Sequence, residues 1–155
     1  MNQAIQTIRV VDGVSIINIS GLQDDIRLIA RILRDVAARN INVDVICQTT
    51  FEKSNKVTFA FTIADSDVHE TVKTLAPYKK QIENFVVEVD SGNTKICVEG
   101  KRMAAQPGVA AAVYEVLAET DVETKLTSTS EVDISIVVAD RFADAAVSGL
   151  QALIK

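Results

Sequence analysis

Apolar positions recur along the chain with two periods. In residues 25–39, Ile26, Ile29, Ile32, Leu33 and Val36 return every three or four residues, the spacing of a helix that buries one stripe. Val109, Val113, Val116 and Leu117 repeat that spacing over 107–119. Phe142, Ala145, Ala146, Leu150 and Leu153 do so over 141–153. Elsewhere the period is two. Ile134, Ile136 and Val138 alternate with Asp133, Ser135 and Val137, which reads as a strand over 132–138. Further strands are predicted at 4–11, 14–20, 43–50, 57–63, 85–89, 94–99 and 122–130. A short helix is predicted after the acidic pair Asp65 and Asp67 and stops near Ala76, before Pro77. Residues 79–82 read as polar linker or a last helical turn.

Polar and glycine positions punctuate these elements. Asp12-Gly13 predicts a tight turn between the first two strands. Asp24 suits the N-cap of the first helix, and Asn40 its C-terminal cap. The stretch 52–55 reads as a polar hairpin loop. Asp90, Ser91, Gly92 and Asn93 form the strongest turn cluster and the natural domain boundary. Pro107 fits a first helical position, where a missing N–H costs nothing.

A shift of 81 positions overlays the two halves: Leu28 falls on Val109, Leu33 on Tyr114, Ala37 on Ala118, Asn40 on Asp121, Ile41 on Val122 and Gln48 on Thr129. Each copy reads strand–helix–strand–strand–helix, and the first adds a closing strand, the ferredoxin-like order. The second copy ends in a helix and lacks one strand, which 4–11 supplies. The expected fold class is therefore α+β: two ferredoxin-like βαββαβ domains packed as a tandem pair. The first spans 13–91; the second is discontinuous, built from 1–12 and 92–155.

Composition narrows the function. Aromatics are 5% and Trp is absent, so a chain that is 48% hydrophobic builds an aliphatic core. A net charge of -5 argues against nucleic acid and anionic membrane as partners. No apolar run approaches the ~20 residues of a membrane span, and Met1-Asn2-Gln3-Ala4 is not a signal-peptide start. A cytoplasmic protein is the expectation. Cys47 and Cys97 lie in apolar extended runs and are expected to be buried, reduced thiols. His69 is the sole histidine, which counts against a His-based metal site or a Ser-His-Asp triad. Asp65, Asp67 and Glu70 have carboxylates enough for a divalent ion but read as a solvated helix start. Lys101 and Arg102 read as solvated side chains. With no nucleophile–base pair, metal cluster or Walker-type nucleotide loop, no cofactor, metal or catalytic activity of its own is expected.

Three segments carry a family resemblance. They are Ile41-Asn42-Val43-Asp44-Val45-Ile46 with Gln48, Pro107-Gly108-Val109-Ala110-Ala111, and Ser128-Thr129-Ser130-Glu131 followed by Ile134-Ser135-Ile136-Val137-Val138. Over nearly its whole length the chain resembles the tandem ACT domains of the aspartate kinase regulatory region. The resemblance implies feedback sensing of lysine or threonine. It also implies modules that pair sheet to sheet or helix to helix with ligands at the interfaces, hence a homodimer, and an aspartate kinase catalytic subunit or domain as a further partner. No kinase domain is expected in this chain, which is then a separate regulatory subunit or a C-terminal piece.

In that family the positions matching Asp24 and Gln48 belong to the effector site, and the loop matching Met103 to Gln106 lies close by. Asp25, Asn42, Asp44, Pro107, Gly108, Val109, Glu123 and Ser128 complete the expected effector-binding set. The chemistry agrees with an amino-acid ligand. The helix start at 106–109 offers backbone N–H groups to a carboxylate, and Gly108 lets a ligand come close. Asp24 accepts from an ammonium, and Gln48 both donates and accepts. Asp24 as a plain N-cap and Gln48 as a surface residue remain equal readings. Two departures stand out: Ile26 and Arg27 replace the Pro-Gly usual in the first loop, and Glu123 and Lys125 replace an Asn and an acidic residue in the second copy. The altered first loop favours the alternative, a ligand-free module for oligomerisation.

Overall fold

Two strands are far longer than the polar pattern predicts. In the computed structural model, which describes residues 4–51 and 56–154, β1 runs Thr7–Gln23 without a break and β4 runs Val86–Glu99. The turns expected at Asp12-Gly13 and at 90–93 are therefore not reversals. Gly13 takes φ +67 and Gly92 φ +74 within extended chain. A left-handed glycine inside a strand bends and twists it as a bulge does, and each strand continues on either side. The loop predicted at 52–55 lies outside the described residues.

The chain divides into two units, Gly13–Ser91 and a second made of Met1–Asp12 with Gly92–Lys155. In the first, the residues of β1 from Gly13 onward lead into helix α1 (Ile26–Ala37), then β2 (Ile46–Phe51), β3 (Lys56–Ala64), a 3-10 turn (Asp65–Asp67), α2 (Val68–Leu75), a short α3 (Tyr78–Gln81) and the start of β4. The sheet order is β2-β3-β1-β4, with β2 and β1 each antiparallel to β3. Contacts between β1 and β4 run in opposite directions: Ser15 Oγ lies 2.7 Å from Ser91 Oγ, and Asn18 Nδ2 donates to Glu88 Oε2 at 3.1 Å. Ile17, Ile19, Leu22, Ile29, Ile32, Val36, Phe59, Phe61 and Leu75 fill the core beneath the helices.

In the other unit the end of β4 leads through a 3-10 turn (Met103–Ala105) to α4 (Val109–Glu119), β5 (Thr124–Thr129), β6 (Asp133–Ala139) and α5 (Asp140–Gln151). Its sheet order is β1-β4-β6-β5, the first strand coming from the amino-terminal part of β1. Gln6 N donates to the Glu99 carbonyl at 2.8 Å, which ties that strand to β4. Ile5, Ile96, Val98, Val113, Leu117, Ile136, Val138, Ala146 and Leu150 form its core.

The internal repeat is physical. Ile32 and Val113 are both buried, as are Val36 and Leu117, and Ile41 and Val122. After the helices, Asn40 and Asp121 take φ +59 and +51. These short polar side chains tolerate the left-handed conformation that ends a helix.

Three local expectations are corrected. Asp25, not Asp24, caps α1: its Oδ1 accepts from Arg27 N at 2.9 Å. Gly108 at φ +95 occupies the cap position of α4, which leaves Pro107 outside the helix. Cys47 is exposed, on the outer strand β2, while Cys97 is buried on β4. Among the described residues no helix is long and apolar enough to cross a membrane.

Candidate functional site

The turn from β4 to α4 and the turn from β5 to β6 meet at one end of the second unit. Gly100 anchors both. Its N–H donates to the Val132 carbonyl at 2.8 Å, and its carbonyl accepts from Met103 N at 3.1 Å. Met103 turns inward and is buried, as are Val109 on the first turn of α4 and Ile134 on β6. These three make the floor of a groove of about 260 Å³. Its rim carries Gln106, Gly108, Thr129, Ser130 and Glu131.

The groove offers complementary groups. At the start of α4 no side chain caps the helix, and the first-turn N–H groups have no partner within a helix, so they and the dipole favour an anion. Glu131 is an exposed carboxylate at the opposite rim. Gln106 presents an amide, and Thr129 and Ser130 present hydroxyls. Ser130 Oγ also accepts from Val132 N at 3.2 Å, which holds the β5–β6 turn. Gly108 has open space where a side chain would be. An anion-binding end, a carboxylate and an apolar floor within one groove suit a zwitterion of a few carbons.

Of the residues singled out in the sequence, Met103, Gln106, Gly108 and Val109 come together here. Pro107 lies on the same turn, exposed. Ser128 is half-buried on β5 opposite Ser135 of β6, and Glu123 is exposed just before β5. In the other unit Asp25 lines a separate groove of about 340 Å³ with Gln23, Lys56, Gln81 and Glu83. Asp24 is exposed and lines neither groove. Asn42 and Asp44 are exposed in the segment before β2; Asp44 N donates to the Thr62 carbonyl at 3.0 Å. Gln48 is exposed on β2 opposite Phe59.

Thr129, Ser130, Glu131 and Ile134 were not among the expected site residues. The signal for the first three was the Ser-Thr-Ser-Glu segment, which ordinary strand propensity hid, and Ile134 showed only as an apolar position of the following strand. The acidic cluster at 65–70 is not simply solvated. Asp65 Oδ1 accepts from the Ser15 hydroxyl at 2.5 Å, and Glu70 lies 3.6 Å from Arg39 and 3.9 Å from Lys73. Cys97, Glu99 and Asp133 bring three metal-ligating atoms within 4.8 Å of one another. Arg9 donates to Glu99 at 2.9 Å, however, and places a positive charge where a cation would sit. Among the described residues, two groups have displaced proton affinities. The Arg9 guanidinium is raised, chiefly by its hydrogen bond to Glu99. The Tyr78 hydroxyl is pushed up to about 12 by burial and by its 2.5 Å hydrogen bond to Asp35.

Residues 96–152 match the family model described as ACT domain. Aspartokinase 2 of Bacillus subtilis is 34% identical over 139 residues, covering 90% of this chain and 34% of that protein. The chain thus spans about a third of the length of the aspartokinases it matches. Among solved structures, the ligand-free regulatory subunit of aspartate kinase from Thermus thermophilus superimposes with a TM-score of 0.89 at 24% identity, over 98% of this chain and 99% of that one. Aspartokinase III of E. coli, solved with lysine and aspartate in its T-state, gives 0.71 at 19% identity, over 98% of this chain and 34% of that one.

Proposed function

We propose that the chain is an ACT regulatory module of the form that aspartate kinases carry, an assignment supported by the ACT match at 96–152 and by the similarity to aspartokinases over 90% of the chain, and that it senses lysine or threonine for an aspartate kinase catalytic subunit or domain. On this reading it is not catalytic by itself, needs no cofactor, and works in the cytoplasm paired with a second copy of itself.

The groove at the start of α4 carries the proposal. The α-carboxylate of the ligand takes the free N–H groups of the first turn, and its ammonium takes Glu131. The aliphatic part of the side chain lies on Met103, Val109 and Ile134. A hydroxyl or second ammonium reaches Gln106, Thr129 or Ser130. Lysine in the related E. coli enzyme supports an effector of this class. Regulation then follows from differential affinity: a ligand that binds one arrangement of the kinase better shifts the population toward it.

Calorimetric titration of the chain with lysine and then threonine tests this. Saturable binding of one is expected. Glu131→Gln removes one charge-assisted contact of about 1.5–3 kcal/mol, so affinity falls by roughly ten- to a hundred-fold. Absence of heat with either amino acid at millimolar concentration refutes the sensor. It would leave the ligand-free assembly module, which Ile26, 71% exposed at the altered first loop, favours.

A further inference from the structure

The groove at the start of α4 lies between that helix and β5, with Ala110 on one wall and Thr129 on the other. Tyr114 stands four residues past Ala110, on the same face of the helix. Thr127 stands two residues before Thr129, on the same face of the strand. The two meet: the Tyr114 hydroxyl donates to Thr127 Oγ1 at 2.8 Å. The bond therefore crosses from helix to strand one row past the groove, about 6 Å along the helix from Ala110. Such a tie matters most to an outer strand. β5 ends the sheet and is laddered on one side to β6, and that ladder shifts register between Thr124 and Leu126, just before Thr127. A shift of this kind bends a strand and interrupts its pairing. Under the 81-residue repeat Tyr114 falls on Leu33 and Thr127 on Ile46, whose side chains form no hydrogen bond, so the first copy lacks the tie. Tyr114 is 45% exposed and Thr127 half-buried. Either hydroxyl can bond water instead, so the bond adds little to folding, and its effect is on the spacing of α4 and β5.

We propose that Tyr114 is a positioning residue of the amino-acid groove: through Thr127 it fixes the distance between α4 and β5, closes the far end, and limits the length of side chain the groove accepts. This deepens the sensor reading and rests on it. With the walls held, a short side chain fits between Ala110 and Thr129, and a long linear one must part them. The groove then prefers threonine to lysine, and the preference is a difference of affinities that the closed end creates against the longer ligand.

Calorimetric titration of the full chain with threonine and with lysine tests it, in the wild type, Tyr114→Phe, Thr127→Val, the double variant and Tyr114→Ala, with thermal melting alongside. The wild type is expected to bind threonine more tightly. Tyr114→Phe and Thr127→Val should each lower threonine affinity about three- to ten-fold. The double variant should lose no more than either, because both remove the same bond. Tyr114→Ala also opens the end and should narrow the threonine-to-lysine ratio about ten-fold, while all the melting temperatures move little. A wild-type chain that binds neither amino acid overturns the sensor reading and this role with it. A wild type that prefers lysine, a ratio unchanged in Tyr114→Ala, or affinities that fall only in step with melting temperature overturns the role of Tyr114 alone.

Discussion

Gly100→Ala tests the packing that holds the groove and the amino-terminal segment together. A Cβ built at Gly100 would lie 1.7 Å from the Ala4 carbonyl oxygen, 2.8 Å from its carbon and 3.1 Å from Ile5 Cα. Contacts under 3.0 Å force something to move, and here every obstructing atom is backbone. Relief requires Ala4 and Ile5, at 7% and 4% exposure, to lift from the core. Overpacking costs about 1–3 kcal/mol, and losing much of the burial of Ile5 adds about 1.5–3 kcal/mol. The expected loss is thus about 3 kcal/mol or more. Gly108→Ala is the control. No atom lies within 4 Å of its Cβ, so only the backbone strain at φ +95 remains, worth about 1–2 kcal/mol. Urea unfolding of both variants, followed by circular dichroism, gives the comparison. Because Gly100 also bonds Val132 and Met103, its variant should bind the effector more weakly as well. A Gly100→Ala chain no less stable than Gly108→Ala would refute the packing of residues 4–5 on the start of the groove.

Two further expectations concern the other unit. Tyr78→Phe removes the hydrogen bond to Asp35 and should cost about 1.5–3 kcal/mol at neutral pH. Because the folded hydroxyl is raised from 10.0 to about 12, its contribution is complete below pH 10 and is lost as pH rises toward 12. The stability difference between wild type and variant should therefore shrink across that window in pH-dependent urea titrations; a constant difference would sink the assignment. For the cap of α1, Asp25→Ala should lower stability by about 1 kcal/mol while Asp24→Ala changes it little, and equal losses in thermal melts would put the cap back at Asp24.

The pattern of apolar residues was sufficient for the types of element and for their order. Helical spacing in 26–37 and 109–119 buries one stripe of each helix, and that burial is enough to define the element whatever it packs on; in β6 the alternation marked the strand, but Ile134 to Val138 are all buried, so both of its faces are covered. The repeat was legible for the same reason, since both copies must fill equivalent core positions. The fold class followed from the order of elements. Half of the groove was legible too, because the loop and helix start that form it are contiguous in sequence.

Other features depended on contacts between distant residues. A polar cluster with glycine either reverses the chain or bulges within it. At Gly13 and Gly92 the chain takes a left-handed φ and stays extended, so each strand continues where a reversal was expected. Asp24 and Asp25 have equal capping chemistry, and the direction in which the chain leaves β1 chose Asp25. Glu131 and Ile134 are more than twenty residues from Val109, and only the packing of β5 and β6 beside α4 brings them to its rim and floor. Local propensity thus determined what each segment became. Which segments meet is a property of long-range pairing, and no single stretch of sequence carries it.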